Sequence, residues 1–213
     1  VSADRISETR HLYATVAATY ADVLPDTRYE AFLEMGLIDH FISQLPDSAL
    51  PVLDAGCGTG RMLSHLSARG VTNLLGVDLS PEMLVFARQA HPNIPLKTGD
   101  LRSLPYADDS IGAMLCWYAI IHSPNDEVVD IVAEARRVLS PGGLLLLGFH
   151  AGSGERAANR AYGHAVTLRV VLHEPDEIAR LVRAAGFTVE ATVNRAPVGS
   201  ERNRQGYVMA RRI

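Results

Sequence analysis

The chain has 213 residues, 47% of them hydrophobic, which is enough for one α/β domain with a full core, and its net charge of −4 excludes the strongly basic field that nucleic-acid binders use. Cys57 and Cys116 are its only cysteines, which excludes a disulfide scaffold, and no CxxC or Cys/His cluster points to a metal. The start carries Asp4, Arg5, Glu8 and Arg10 with no apolar signal core, and the longest apolar run, 111–121, is too short to span a membrane. The expectation is a soluble cytoplasmic protein, monomer or homodimer, with neither nucleic acid nor membrane as partner. It opens on Val1 rather than Met, as a trimmed or tagged terminus would.

Residues 9–24 place Leu12, Tyr13, Val16, Ala17, Tyr20 and Leu24 at helical spacing, ended by Pro25. A second helix is predicted over 28–44, with Phe32, Leu33, Leu37, Ile38, Phe41 and Ile42 facing the core. Pro46-Asp47-Ser48 is a predicted turn. From residue 50 strands and helices alternate: strands at 50–54, 73–78, 94–98, 111–117 and 144–149, helices at 60–69, 81–90 and 126–139. Ser80-Pro81 and Ser123-Pro124 each set a capping hydroxyl before a proline at the first helical position. Ser140-Pro141-Gly142-Gly143 is expected to separate the last of these helices from residues 144–147, a leucine run suited to a strand buried on both faces. Such alternation means a doubly wound parallel sheet. Beyond it, 150–164 reads as a loop or short helix, 166–172 as a short strand and 175–185 as a helix closed by Gly186. Residues 187–195 and 207–211 read as an antiparallel pair. No repeat, low-complexity tract or linker divides the chain.

The chemistry is carried by Val52-Leu53-Asp54-Ala55-Gly56-Cys57-Gly58-Thr59-Gly60-Arg61, a strand, a glycine turn and a helix start. Such a turn offers N–H groups and the positive end of the helix dipole to an anionic group. The plainer reading is a turn that needs glycine only for φ > 0. The dinucleotide pattern G-x-G-x-x-G/A is not met, because Gly56, Gly58 and Gly60 are spaced G-x-G-x-G and Arg61 stands at the third position. The phosphate-loop pattern fails too, since no Gly-Lys-Ser/Thr follows. Asp54 ends the first strand, Asp78 the second, and Asp100 follows the third. An acid about 20 residues beyond a glycine turn accepts ribose hydroxyls. Three carboxylates on the ligand-binding edge suit a nucleoside with a cationic group better than a pyrophosphate, which weighs against a nicotinamide dehydrogenase.

The set VLDAGCGTG, GVDLSPEML, GDLRSLPYADDSI and LSPGGLLLL resembles the class I S-adenosylmethionine-dependent methyltransferases, small-molecule-type branch, over residues 9–211. The resemblance implies a doubly wound, mostly parallel, seven-stranded Rossmann-like sheet with the last strand antiparallel. It implies one domain: residues 1–46 a helical lid, 50–149 the cofactor-binding core, 150–213 a substrate-side insertion and the final strands. It implies S-adenosyl-L-methionine as cofactor and S-adenosyl-L-homocysteine as product. Asp54 and the backbone of Gly56, Cys57, Gly58 and Gly60 would hold the methionine part, and Asp78 the ribose hydroxyls. Leu79 would line the adenine, Asp100 and Leu101 would read its amino edge, and Cys116 and Trp117 would pass near the sulfonium. Ala55, Met83 and Gly99 complete the implied cofactor contacts.

The chain departs from the family pattern in two places. Tyr13-Ala14-Thr15-Val16-Ala17-Ala18-Thr19-Tyr20 stands where many relatives have Tyr-Asp-x-x-Ala-x-x-Tyr, so Tyr13 and Tyr20 remain, as cofactor caps or as core, without the aspartate. Gly112 stands where many have an aspartate. No Asn/Asp-Pro-Pro-Tyr/Phe follows the fourth strand, where the chain reads Cys116-Trp117-Tyr118-Ala119; that counts against an amino-group methylase of nucleic-acid bases or protein glutamine. Methyl transfer needs an aligned nucleophile and in some cases a base. His122 and His150, ahead of His164, are the candidate bases beside the plainer reading of structural histidines, and they favour the oxygen of a small-molecule acceptor over nitrogen. Arg28, Arg160 and Arg169 are the cations an acidic substrate would meet. The other class of function is a non-methylating relative that keeps the cofactor as a structural ligand or catalyses a cyclisation.

Overall fold

The computed structural model describes residues 2–46 and 49–213, so the predicted turn resting on Asp47 and Ser48 lies outside the described residues. Five parallel strands, β1 (Val52–Ala55), β2 (Leu74–Asp78), β3 (Leu96–Thr98), β4 (Ile111–Trp117) and β5 (Leu139–Ala151), form most of one sheet. With β8 (Phe187–Arg195) and β9 (Arg204–Arg212) it has seven strands in the order β3-β2-β1-β4-β5-β9-β8. The last strand in sequence, β9, slots between β5 and β8 and is antiparallel to both. This is the doubly wound Rossmann-like sheet the sequence implies.

Every residue of β1 and β4 is buried, because helices cover both faces. The leucine run splits by the strand period of two. Leu145 and Leu147 join Met114 and Cys116 beneath α5 (Asn125–Val138) and α6 (Pro175–Ala184). Leu144 and Leu146 join Leu115 and Trp117 beneath α2 (Phe32–Ser43), α3 (Arg61–Ala68) and α4 (Pro81–Ala90). Helix α1 (Ser2–Val23) lies beside α4. No helix among the described residues is long and apolar enough to cross a membrane.

Several expectations are corrected. Helix α1 starts at Ser2, not near 9, because its first turns are polar and carry no apolar period. Helix α2 starts at Phe32; Ala31 has no capping side chain, and the Glu34 carboxylate accepts the Ala31 N–H at 2.7 Å instead. The later start leaves Phe32 99% exposed and Leu33 half exposed, not in the core. Ser80 caps α4 as expected, accepting from the Met83 N–H at 3.3 Å. Ser123 does not cap α5: it ends a short 3-10 turn, Ile120–His122, and Pro124 itself is the N-cap. Residues 140–143 do not separate helix from strand. β5 begins at Leu139, pairs it with Ile111, and next pairs Leu144 with Ala113, so 140–143 bulge out of the strand around Gly142, at φ +77. The 150–164 stretch is not helical. β6 (Glu155–Ala158) forms a separate antiparallel pair with β7 (Leu168–Val171), and its four exposed residues carry no alternating pattern.

Candidate active site

The turn from β1 into α3 is built around glycines in left-handed conformations. Gly56 lies at φ +80, and a Cβ there would stand 2.3 Å from the Ala119 Cβ, so neither conformation nor space allows a side chain. The N–H groups of Gly56, Cys57, Gly58 and Gly60 are used internally. Those of Gly56 and Cys57 donate to the Val77 carbonyl at 2.8 and 3.0 Å, and that of Gly60 donates to the Cys57 carbonyl at 2.9 Å. The Gly58 N–H donates to Asp78 Oδ2 at 2.8 Å, and the Ser80 N–H donates to Asp78 Oδ1 at 2.9 Å. Each Asp78 oxygen keeps acceptor capacity for a further donor. Burial raises the Asp78 carboxyl above its ordinary range, against these backbone bonds.

Asp54 is 1% exposed, and its Oδ2 has no hydrogen-bond partner among the described residues. Burial pushes its carboxyl up to about 7, with Arg61 opposing and Asp78 adding to the rise. Arg61 opens α3 and is ion-paired with Glu30, whose Oε1 also accepts from Trp117 Nε1 at 3.3 Å. The second Glu30 oxygen is buried without a partner among the described residues.

Above these groups lies a cavity of about 370 Å³. The strand ends contribute Gly56, Gly58, Asp78 and Leu79 to its wall, with Gly99, Asp100 and Leu101 after β3 and Trp117 after β4. Met83 of α4 joins them, as do Tyr13 and Tyr20 of α1, His122 and His150. Asp54, Ala55, Cys57, Gly60 and Cys116 do not line that cavity. Ala55 and Cys116 are fully buried in the core on the α5 side. Cys57 packs into the opposite core beneath Gly76, and Gly60 packs against His91. Burial drives both thiols up, that of Cys116 to about 12, so neither is a nucleophile at neutral pH. Asp100 is on the wall and ion-paired. Arg102 grips it with Nε on Oδ1 at 3.1 Å and Nη2 on Oδ2 at 2.6 Å. Partial burial pushes Asp100 up, and the Arg102 guanidinium more than reverses this, leaving it below its ordinary range.

The two candidate bases differ. His122 Nδ1 lies 2.6 Å from the Arg169 carbonyl, so it carries the proton, and Nε2 accepts from the Tyr13 hydroxyl at 2.9 Å. Burial lowers its pKa to about 4. Both ring nitrogens being engaged, His122 fastens α1 to the sheet edge and offers no free base. Among the described residues the His150 ring hydrogen-bonds only through Nδ1, 3.0 Å from Gln205 Oε1, and burial lowers its pKa below the ordinary histidine value. His164 is on Thr19, at 2.9 Å, and is not on the cavity wall. The arginines considered for an acidic substrate are elsewhere: Arg28 pairs with Asp26, Arg169 with Glu8 and Glu155, and Arg160 donates to the Gly163 carbonyl.

Sequence reasoning missed a buried polar cluster at the β5–β9 end of the cavity. Glu34, 2% exposed, accepts from Tyr207 and Arg195. The Tyr118 hydroxyl lies 2.9 Å from both Gln205 Oε1 and the Tyr207 hydroxyl. Tyr118 has φ +56, a strained conformation for a tyrosine. Of this cluster, Tyr118 stood at the strand end to which the sequence drew attention.

Residues 52–143 match a family model described as a methyltransferase domain. Over this region the chain is similar to the S-adenosylmethionine-dependent methyltransferases. A relative is a malonyl-(acyl-carrier protein) O-methyltransferase of Pectobacterium atrosepticum, 32% identical over 120 residues, covering 55% of this chain and 46% of the relative. The chain spans about half the length of the curated relatives it matches. Among solved structures, a Synechocystis magnesium protoporphyrin IX methyltransferase with bound S-adenosylhomocysteine superposes with TM-score 0.71 at 18% identity, covering 98% of this chain and 100% of the other. The (4+2)-cyclase SpnF superposes with TM-score 0.72 at 16% identity, covering 97% and 96%. At such identities the chain shares the fold with these proteins, and the fold alone decides no chemistry.

Proposed function

We propose that this domain transfers a methyl group from S-adenosyl-L-methionine to a hydroxyl of a small, uncharged molecule. The observation that carries the reading is the half-buried Asp78 carboxylate on the cavity wall at the glycine turn, with the buried Asp54 carboxylate close by. Asp78 keeps acceptor capacity on both oxygens, as two ribose hydroxyls require, and Asp54 keeps an unpartnered buried oxygen that a cationic ligand would stabilise. When bound, the cofactor supplies a methyl group already activated on a sulfonium. Leu79, Leu101 and Met83 give the apolar surface an adenine needs. Cofactor contacts beyond these residues are not required of the buried Ala55 or Cys116.

The rest of the chemistry is orientation, exclusion of water and one proton. Helix α1, helix α2 and the β6–β7 pair form the lid in this reading. It is fastened by Tyr13 on His122 and by Arg5 on Glu155 at 2.9 Å. His150 is the base that takes the hydroxyl proton. The arginines on the cavity wall, Arg5, Arg61 and Arg102, are all ion-paired, which disfavours a carboxylate as acceptor.

The test is incubation with methyl-labelled cofactor and a fractionated metabolite extract. Label is expected in an uncharged, O-methylated product. Cofactor binding without label in any fraction would favour the non-methylating or cyclising reading.

A further inference from the structure

We propose that Gln205 is the positioning residue for His150: its side-chain carbonyl holds the imidazole as the Nδ1–H tautomer and leaves the Nε2 lone pair to take the acceptor's proton. The proposal rests on the reading of His150 as the base, and it begins in the sheet. Residues 150 and 205 are directly opposed in the antiparallel β5–β9 pairing, so their side chains rise on the same face, side by side.

The orientation of the Gln205 amide follows from its other neighbours. Its Nε2 donates to the Asn203 carbonyl at 3.1 Å. Turned over, the amide would set its oxygen against that carbonyl, two acceptors with no proton between them. The oxygen therefore faces Tyr118 at 2.9 Å and His150 at 3.0 Å, and both must donate to it. For His150 this means a proton on Nδ1. The neutral ring then has its lone pair on Nε2, and His150 and Gln205 both stand on the cavity wall.

This arrangement is the reverse of the one at His122, where the Nε2 lone pair is occupied by the Tyr13 hydroxyl. An amide at 205, unlike a carboxylate, orders the ring without holding it protonated. Other groups act on the ring from the surrounding elements. Glu201 and Glu34 favour the charged form, and Arg156 disfavours it. Burial outweighs them and keeps the ring neutral. In the reaction, the acceptor's O–H bond breaks as its proton passes to Nε2, and the oxygen's electron pair forms the bond to the methyl carbon. The electrons of the breaking sulfur–methyl bond stay on sulfur, and the imidazolium returns its proton to solvent.

The experiment is long-range ¹⁵N–¹H correlation spectroscopy of ¹⁵N-histidine-labelled protein, with the His150 signals assigned by their loss in His150→Phe. The wild type is expected to show the Nδ1–H tautomer. Gln205→Glu keeps the shape and adds a charge, so the His150 pKa should rise by about one unit or more, and the acid limb of the kcat/KM profile should rise with it. Gln205→Leu, if it folds, should move the tautomer toward Nε2–H. An Nε2–H tautomer in the wild type, or a His150 pKa unmoved in Gln205→Glu, would overturn the proposal. Neither spectrum depends on turnover. Failure of the methyl-transfer reading would appear separately, as the predicted tautomer in a protein that transfers no label.

Discussion

Replacing Asp54 by Asn should stabilise the ligand-free protein at alkaline pH while weakening its grip on the cofactor. Asp54 is 1% exposed with one oxygen unpartnered, and its carboxyl is raised from 3.8 to about 7. A carboxyl raised in this way binds its proton more tightly in the folded chain than in the unfolded one. Stability is therefore lost as pH climbs from about 4 to about 7, and the loss is complete above that. At about 1.4 kcal/mol per pH unit, the ionised carboxylate is a burden of up to about 4 kcal/mol at pH 8. Asn resembles the neutral acid at every pH. Urea unfolding of both proteins without ligand should give Asp54→Asn an advantage of a few kcal/mol at pH 8 that shrinks to near zero at pH 4. The comparison between variants matters, because His122 works in the opposite direction. Its pKa, lowered to about 4, makes stability fall as pH drops below 6.5, and this is common to both chains. An equal difference at both pH values, or a variant less stable at pH 8, would refute the account of Asp54 as a carboxylate held in place for a cation.

Tyr13→Phe should leave the buried His122 Nε2 without its partner, a loss of about 1–3 kcal/mol, seen as faster hydrogen exchange in α1 with the sheet unaffected. Gly58→Val should abolish binding of S-adenosylhomocysteine in a folded protein. Gly58 lies at φ +54, and a Cβ there would be 3.2 Å from the Met83 Cε, so the left-handed conformation alone costs about 1–2 kcal/mol. Normal binding by this variant would remove the turn from the site. Glu155→Gln should loosen the exposed clasp of Arg5 and Arg169 by less than about 1 kcal/mol, so cofactor release should quicken slightly at low salt and not at all at high salt.

Much of this fold is legible because its signals are local. The glycine turn, the leucine run split between two cores and the Ser80 cap each follow from a few adjacent residues. Errors arose where a neighbour in space decides. Phe32 is the exception, because the Glu34 bond to the Ala31 N–H that starts the helix is local and the apolar period masked it. The exposed strand Glu155–Ala158 exists because Leu168–Val171 pairs with it, not because its sequence alternates. The site divides in the same way. Asp78 is placed by its strand and by the glycine turn it braces. Asp100 is taken by Arg102, two residues on, a pairing that the family pattern does not announce. His150 acquires a defined tautomer only when a strand some 55 positions later sets Gln205 beside it. Glu30 and Glu34 lie in the helical lid, where charge reads as surface until the lid closes on Trp117 and Tyr207.

The central claim, that the cavity at the strand ends holds the cofactor through the Asp78 carboxylate, is tested most directly by titrating wild type and Asp78→Ala with S-adenosylhomocysteine in a calorimeter. The wild type should bind one ligand per chain, and the variant should lose two charge-assisted hydrogen bonds, about 2–4 kcal/mol or roughly 30-fold to 1,000-fold in affinity. Equal affinities in the two proteins, or no binding by the wild type, would contradict it.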